Sequence, residues 1–346
     1  MFDTLSPPPH LRNLKWEPLA QSGAITTRVS SYKTKEIAVV ANNFQRNIQR
    51  IKWMILVPSA VGDMTIRIQR CFDVAEFMIT KTLDTTGADL SNRDEITALA
   101  QRLFHNSSQE ELNKIGTAEW EDFIQIALER GTRPVLMIAA PLTPARNGLE
   151  AILSFCVTGT WTAFETMAGD LWEAALNVHP SGLSELKGKR KSGQKPSDVN
   201  ETPDLRGDDS AESASLKMVP LAELIRHEYE IRGKMGSVPR ARQRFDHLAG
   251  IREAYRLAFF KNFEQVDAAL TDDVIDALNA VRNLIVHRAG VVDETYEKRS
   301  RHLDIPKAPI GQPIFLDGEI VAKLMESVIS SSLHLLVAVD EWIAAE

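Results

Sequence analysis

The segment RNLIVHRAG, Arg282 to Gly290, sets an arginine, an asparagine and a histidine at helical spacing. Asp272 and Asp273 supply acceptors suited to a helix N-terminus, and Gly290 offers a stop. Between them Val274, Leu278, Val281 and Ile285 recur at steps of four, three and four, which predicts an amphipathic helix. At roughly 100° per residue, Asn283 lies about 100° and His287 about 140° round from Arg282, so all three face away from the apolar stripe. Asn279 and Val286 fall on the same side, and Asn283 and His287, four apart, are direct neighbours. An imidazole titrates near neutral pH, and a guanidinium stays cationic and grips phosphate with its planar fork. Such a set is equipped to take a proton from a ribose hydroxyl and to steady phosphorane-like charge without a metal. The same residue types also serve as dipole partners and caps at a helix end, so spacing alone leaves a structural role open.

The longer segment RNLIVHRAGVVDETYEKR resembles the signature of the HEPN superfamily: arginine, usually a polar residue, three or more further positions, then histidine, late in a long helix. The preceding run FDHLAGIREAYRLAFF and an apolar final helix are similar to that family's flanks. The resemblance covers roughly residues 149 to 343, with an interruption, and does not reach the N-terminal third. By position, Arg282 matches the motif arginine, Asn283 the polar residue after it and His287 the motif histidine. One subclass, the partners of nucleotidyltransferases, carries a tyrosine two residues after the histidine; Ala289 stands there instead.

The resemblance implies a compact helical bundle and a metal-independent endoribonuclease, acting as a toxin or in defence against foreign nucleic acid. His287 would be general base or acid in transesterification by the ribose 2′-hydroxyl, Arg282 would hold the scissile phosphate and Asn283 would orient one of them. One chain offers a single motif histidine, so a homodimer with the two motif helices facing each other is expected. RNA is the expected substrate, and an antitoxin or regulatory protein a further partner. The alternative is a noncatalytic helical module that binds RNA or a protein and keeps Arg282 and His287 for packing.

The 346 residues suffice for two domains or one enlarged one, and 44% hydrophobic with 25% charged residues is an ordinary soluble composition. Cys71 and Cys156 both sit in apolar patterns and are expected to be buried thiols in a reducing compartment. No Cys and His set has structural zinc spacing, and neither metal nor cofactor is expected. No signal peptide is evident at the start of the chain and no run reads as a membrane span, which predicts a cytoplasmic protein without membrane contact. A net charge of −7 disfavours a nonspecific RNA coat but leaves room for a local positive site.

The chain as a whole predicts an all-α fold: a loosely ordered arm over 1–33, a helical region over 34–145, and a HEPN-like helical domain over 146–346. In the first region Phe44, Ile48, Ile51 and Ile55 mark a helix that Pro58 should end. A second helix is expected from about 61 to 83, its buried side formed by Ile68, Cys71, Phe72, Ala75, Met78 and Ile79. Helical pieces follow over about 94–104 and 109–129, and PVLMIAAPL, 134–142, reads as a short strand or a buried turn at a domain boundary.

A long helix over 147–177 carries Glu165, which would support Arg282 or His287 if the two helices pack together, with an exposed carboxylate as the plainer reading. The segment 180–217 is poor in large apolar residues and is expected to be a disordered insertion. Its basic head contains Lys187, Lys189, Arg190 and Lys191, candidate RNA-phosphate contacts, with a solvated linker as the plainer reading. A short helix before Gly236, an aromatic stripe on one helix over 241–263, and a final helix capped by Asp317 complete the domain. Beyond the motif, Lys298, Arg299, Arg301 and His302 form a cationic cluster in a proline-containing loop, with Arg299 and Arg301 as further candidate RNA contacts and plain surface charge as the reading that spacing alone favours.

Overall fold

The computed structural model describes residues 32–86, 93–115, 117, 119–139, 142–180, 225–226, 228, 230–231, 233–240, 243–259 and 263–345. The fold is all-α. Helices run in the order α1 (Lys35–Thr86), α2 (Arg93–Leu112), α3 (Glu119–Ala139), α4 (Thr143–Val178), α5 (Ser237–Arg240), α6 (Leu248–Ala258), α7 (Glu264–Leu270), α8 (Asp273–Arg288), α9 (Glu294–Ser300) and α10 (Gly318–Ala345). Among the described residues there is no strand, only an antiparallel bridge between Val291 and Pro313. Residues 1–31 of the expected arm, and 181–217 of the expected insertion with its basic head, lie outside the described residues.

The core is built on α4, which packs against α1, α8 and α10. Trp161, Phe164, Ala168, Leu171 and Trp172 on α4 are buried. Val321, Leu324, Val328, Leu335, Val339 and Trp342 of α10 meet them in the same cluster. Asp317 caps α10 by accepting from the Ile320 N–H at 2.8 Å. By length and a mean hydropathy of 1.5, α10 is apolar enough to cross a membrane, which corrects the expectation that no segment reaches that size. Its apolar face is spent on the bundle core.

Three helix expectations need correction. Pro58 does not end a helix: α1 runs through it for 52 residues. Beyond the proline, Ser59, Gly62 and Asp63 face α3, where Ser59 Oγ and Thr132 Oγ1 lie 2.7 Å apart and Arg130 is paired with Asp63. Gly62 and Gly131 bring the two backbones so close that a Cβ on either would overlap the other helix. This packing carries α1 past the loss of one backbone donor, normally worth about 3 kcal/mol or more. Pro134 is likewise inside α3, so 134–142 is neither strand nor boundary up to Ala139. On the far half of α1, Ala75 is buried but Ile68 and Met78 are exposed and Cys71 and Phe72 are half-buried, so the expected buried side is only partly formed.

The third correction concerns 236–263. Ser237–Arg240 is a short helix where a turn is expected, and the single helix predicted over 241–263 is α6 alone, followed by α7. The aromatic stripe is nonetheless core: Phe245, Leu248, Ile251, Tyr255, Ala258 and Phe259 are all buried. Two buried hydrogen bonds fasten α6 to α4, Tyr255 Oη to the Ala168 carbonyl at 2.7 Å and Trp172 Nε1 to the Ala254 carbonyl at 3.0 Å. Complete burial of Tyr255 pushes its hydroxyl well above the ordinary tyrosine range.

Candidate functional site

Helix α8 carries the three motif residues. Asp272 begins it, its carboxylate accepting from the Val274 N–H at 3.2 Å and from Ser331 Oγ of α10 at 2.8 Å. Leu278 and Val281 are fully buried against α4 and α10, while Val274 and Ile285 close the edges of the same stripe. The helix stops at Ala289, which adopts the left-handed region at φ 51°, and Gly290 follows at φ 81°. The Gly290 N–H then returns to the Leu284 carbonyl at 3.1 Å. Behind this stop the chain is pinned by paired backbone bonds, Ile314 N–H to the Gly290 carbonyl and Val292 N–H to the Gln312 carbonyl, each 2.9 Å.

On the opposite face Arg282 and Asn283 are half-buried and His287 is exposed. Arg282 Nη1 donates to Asn283 Oδ1 at 2.8 Å, and Asn283 Nδ2 donates to Asn279 Oδ1 at 3.1 Å. A chain of amides along the helix therefore orients the guanidinium and leaves most of its donors open. The His287 side chain makes no hydrogen bond or ion pair with another described residue.

Glu165 of α4 is brought to this face by the packing of α4 on α8. Burial raises its carboxyl above the ordinary glutamate range, and Asp246 adds to the rise; the Trp161 indole and the guanidiniums of Arg282 and Arg240 pull it down. The indole N–H of Trp161 is close enough to act on Glu165 yet makes no hydrogen bond of normal geometry. Glu165 thus interacts electrostatically with Arg282, while no contact among the described residues places it at His287.

The cationic cluster after the motif is divided. Lys298 and Arg299 lie exposed on α9, and Arg301, just beyond it, is held by Glu297 through contacts of 2.8 and 2.9 Å. Arg288, next to His287, pairs with Asp293 at 3.3 Å. Asp293 caps α9 by accepting from the Tyr296 N–H at 2.8 Å, and that bond, with Arg288 beside it, holds its carboxyl below the usual range. Lys187, Lys189, Arg190 and Lys191 lie outside the described residues.

A neighbouring feature was not singled out by the sequence pattern. A cleft of about 390 Å³ opens between Glu165 and Thr166 of α4 and the residues Arg240, Gln243, Arg244, Phe245 and Asp246. No group of three or more His, Cys, Asp or Glu residues is placed to share a metal ion among the described residues. No protein-family model matches the chain, and no curated protein or solved structure matches it.

Proposed function

We propose that the chain is a HEPN-type, metal-independent endoribonuclease that cleaves RNA by attack of the ribose 2′-hydroxyl on the adjacent phosphate. The observation that carries this reading is the α8 face itself: a guanidinium oriented by Asn283 and Asn279, with an exposed, unpartnered His287 on the same side. Arg282 neutralises charge on the scissile phosphate, and His287 removes the 2′-hydroxyl proton or returns a proton to the departing 5′-oxygen. Asn283 holds the guanidinium in place, and Glu165 biases it electrostatically from α4.

Transesterification needs both a base and an acid, and one chain contributes one motif histidine. A second copy, related by two-fold symmetry and facing α8 to α8, supplies the other. Val286, next to His287, and Val291 and Phe315, by the end of α8, are exposed apolar side chains suited to that contact. The cytoplasm, and a role as toxin or phage-defence effector held in check by an antitoxin, fit this activity. A noncatalytic packing role for the motif is disfavoured by the exposure of His287, whose side chain makes no hydrogen bond or ion pair with another described residue.

The test is cleavage of a mixed RNA pool in excess chelator by wild type, Arg282→Ala and His287→Ala. Cleavage that requires both residues supports the reading; a folded, dimeric wild type that cuts nothing, or variants that cut as well as wild type, overturns it.

A further inference from the structure

The cleft beside Glu165 is built around one arginine. Residues 236–240 are pinned onto α4: Asn177 Oδ1 accepts from the Gly236 N–H at 2.8 Å, and Ser237 Oγ donates to Glu173 Oε1 at 2.6 Å. A Cβ at Gly236 would overlap the Glu173 carbonyl, so only glycine lets the segment lie this close. The segment delivers Arg240 across Gly169, where a Cβ would overlap its guanidinium. On the other side the Arg240 Cζ stands 4.1 Å from the centroid of the Phe245 ring, itself packed edge-on to Trp172. The guanidinium is held between bare backbone and an aromatic face, an arrangement that fixes a planar cation without using its N–H donors.

Among the described residues nothing uses those donors: the Arg240 side chain makes no hydrogen bond or ion pair with them, although it is half-buried and lines the cleft. Glu165 and Asp170 temper its charge only through space. Arg244, exposed at the rim, adds a second cation, while Asp246 is occupied with His247 at 2.8 Å. Glu165 feels both Arg240 and Arg282, so the cleft adjoins the α8 face. In a chain of net charge −7, this places guanidiniums of Arg240, Arg244 and Arg282 on one side of the molecule.

We propose that this cleft binds a backbone phosphate of single-stranded RNA flanking the scissile one, with Arg240 as the main grip and Arg244 as a second contact at the rim. The proposal rests on the nuclease reading of α8 and names how that site holds its strand. Arg282 takes the reacting phosphate and Arg240 a neighbouring one, which fixes the path of the RNA across α4.

The test uses the full chain with His287→Ala, which removes cleavage, and follows the anisotropy of a short labelled single-stranded RNA over a range of salt. Adding Arg240→Gln should weaken binding about tenfold and lower the salt slope by about one. Gly169→Ala, which keeps every charge but displaces the guanidinium, should weaken binding in the same direction. Arg256→Gln, an exposed arginine paired with Glu253 on α6, should change neither. Thermal melting of each variant checks that it is folded. Wild-type affinity and salt slope in a folded Arg240→Gln protein overturn the proposal, as does a folded His287→Ala protein that binds no RNA. The two readings fail separately: cleft-dependent binding with no cleavage by wild type removes the nuclease, whereas cleavage insensitive to Arg240 removes the cleft.

Discussion

Arg282 and Asn283 are consecutive in the chain and hydrogen-bonded side chain to side chain, Nη1 to Oδ1 at 2.8 Å. Neighbours on a helix diverge by roughly 100°, so this contact turns the guanidinium sideways along the helix surface. Asn279 extends the same chain one turn back at 3.1 Å. The arrangement spends one guanidinium N–H on orientation and leaves the others for a ligand.

Asn283→Ala should therefore act on catalysis more than on folding. A half-buried hydrogen bond of this kind is worth about 1 kcal/mol of stability. The expected result is a melting point within a few degrees of wild type and kcat/KM for RNA cleavage down by about tenfold to a hundredfold. Steady-state kinetics beside a thermal melt checks it; full activity would show that Asn283 does not position Arg282.

Glu165 gives a pH-dependent prediction. Its carboxyl is raised by burial, so the folded chain holds a proton that the unfolded chain has already released. By linkage, its contribution to stability is fully present below the ordinary glutamate range and is lost as pH rises through that range to the raised folded value. Glu165→Gln removes the penalty for the charged form. The variant should match wild type in acid and be the more stable of the two at neutral pH, as read by denaturant melts across that span.

Ala289 holds a left-handed conformation at φ 51°, which costs a side-chain-bearing residue roughly 1–2 kcal/mol. Ala289→Gly relieves that strain at some cost in unfolded-state entropy. A gain of about 0.5–1 kcal/mol is expected in chemical denaturation, with cleavage unchanged. A loss of stability would mean that the methyl group contributes packing that the backbone geometry does not reveal.

The motif helix was legible from the sequence to within a residue, because its cap Asp272, its stripe of Leu278 and Val281 and its stop at Gly290 are all local signals. The final helix and its Asp317 cap were legible for the same reason. The passage of α1 through Pro58 was not, since the force that holds it is the approach of Gly62 to Gly131, distant in sequence. Glu165 was recognisable as an acidic residue on a long helix, but its electrostatic interaction with Arg282 depends on how α4 meets α8. The Arg240 cleft was illegible altogether: Gly169 lies on a different helix, far along the chain from Arg240 and Phe245, and none of the three carries a motif. A glycine beside a buried tryptophan gives no sign that its missing side chain makes room for a guanidinium.

The most direct test of the nuclease assignment is the chemistry of the cut ends. Purified wild-type protein in excess chelator should produce fragments ending in 2′,3′-cyclic phosphate, with His287→Ala and Arg282→Ala each slower by about a hundredfold or more while remaining folded. Fragments ending in 3′-hydroxyl, cleavage that persists in both variants, or no cleavage by folded dimeric wild type would contradict it.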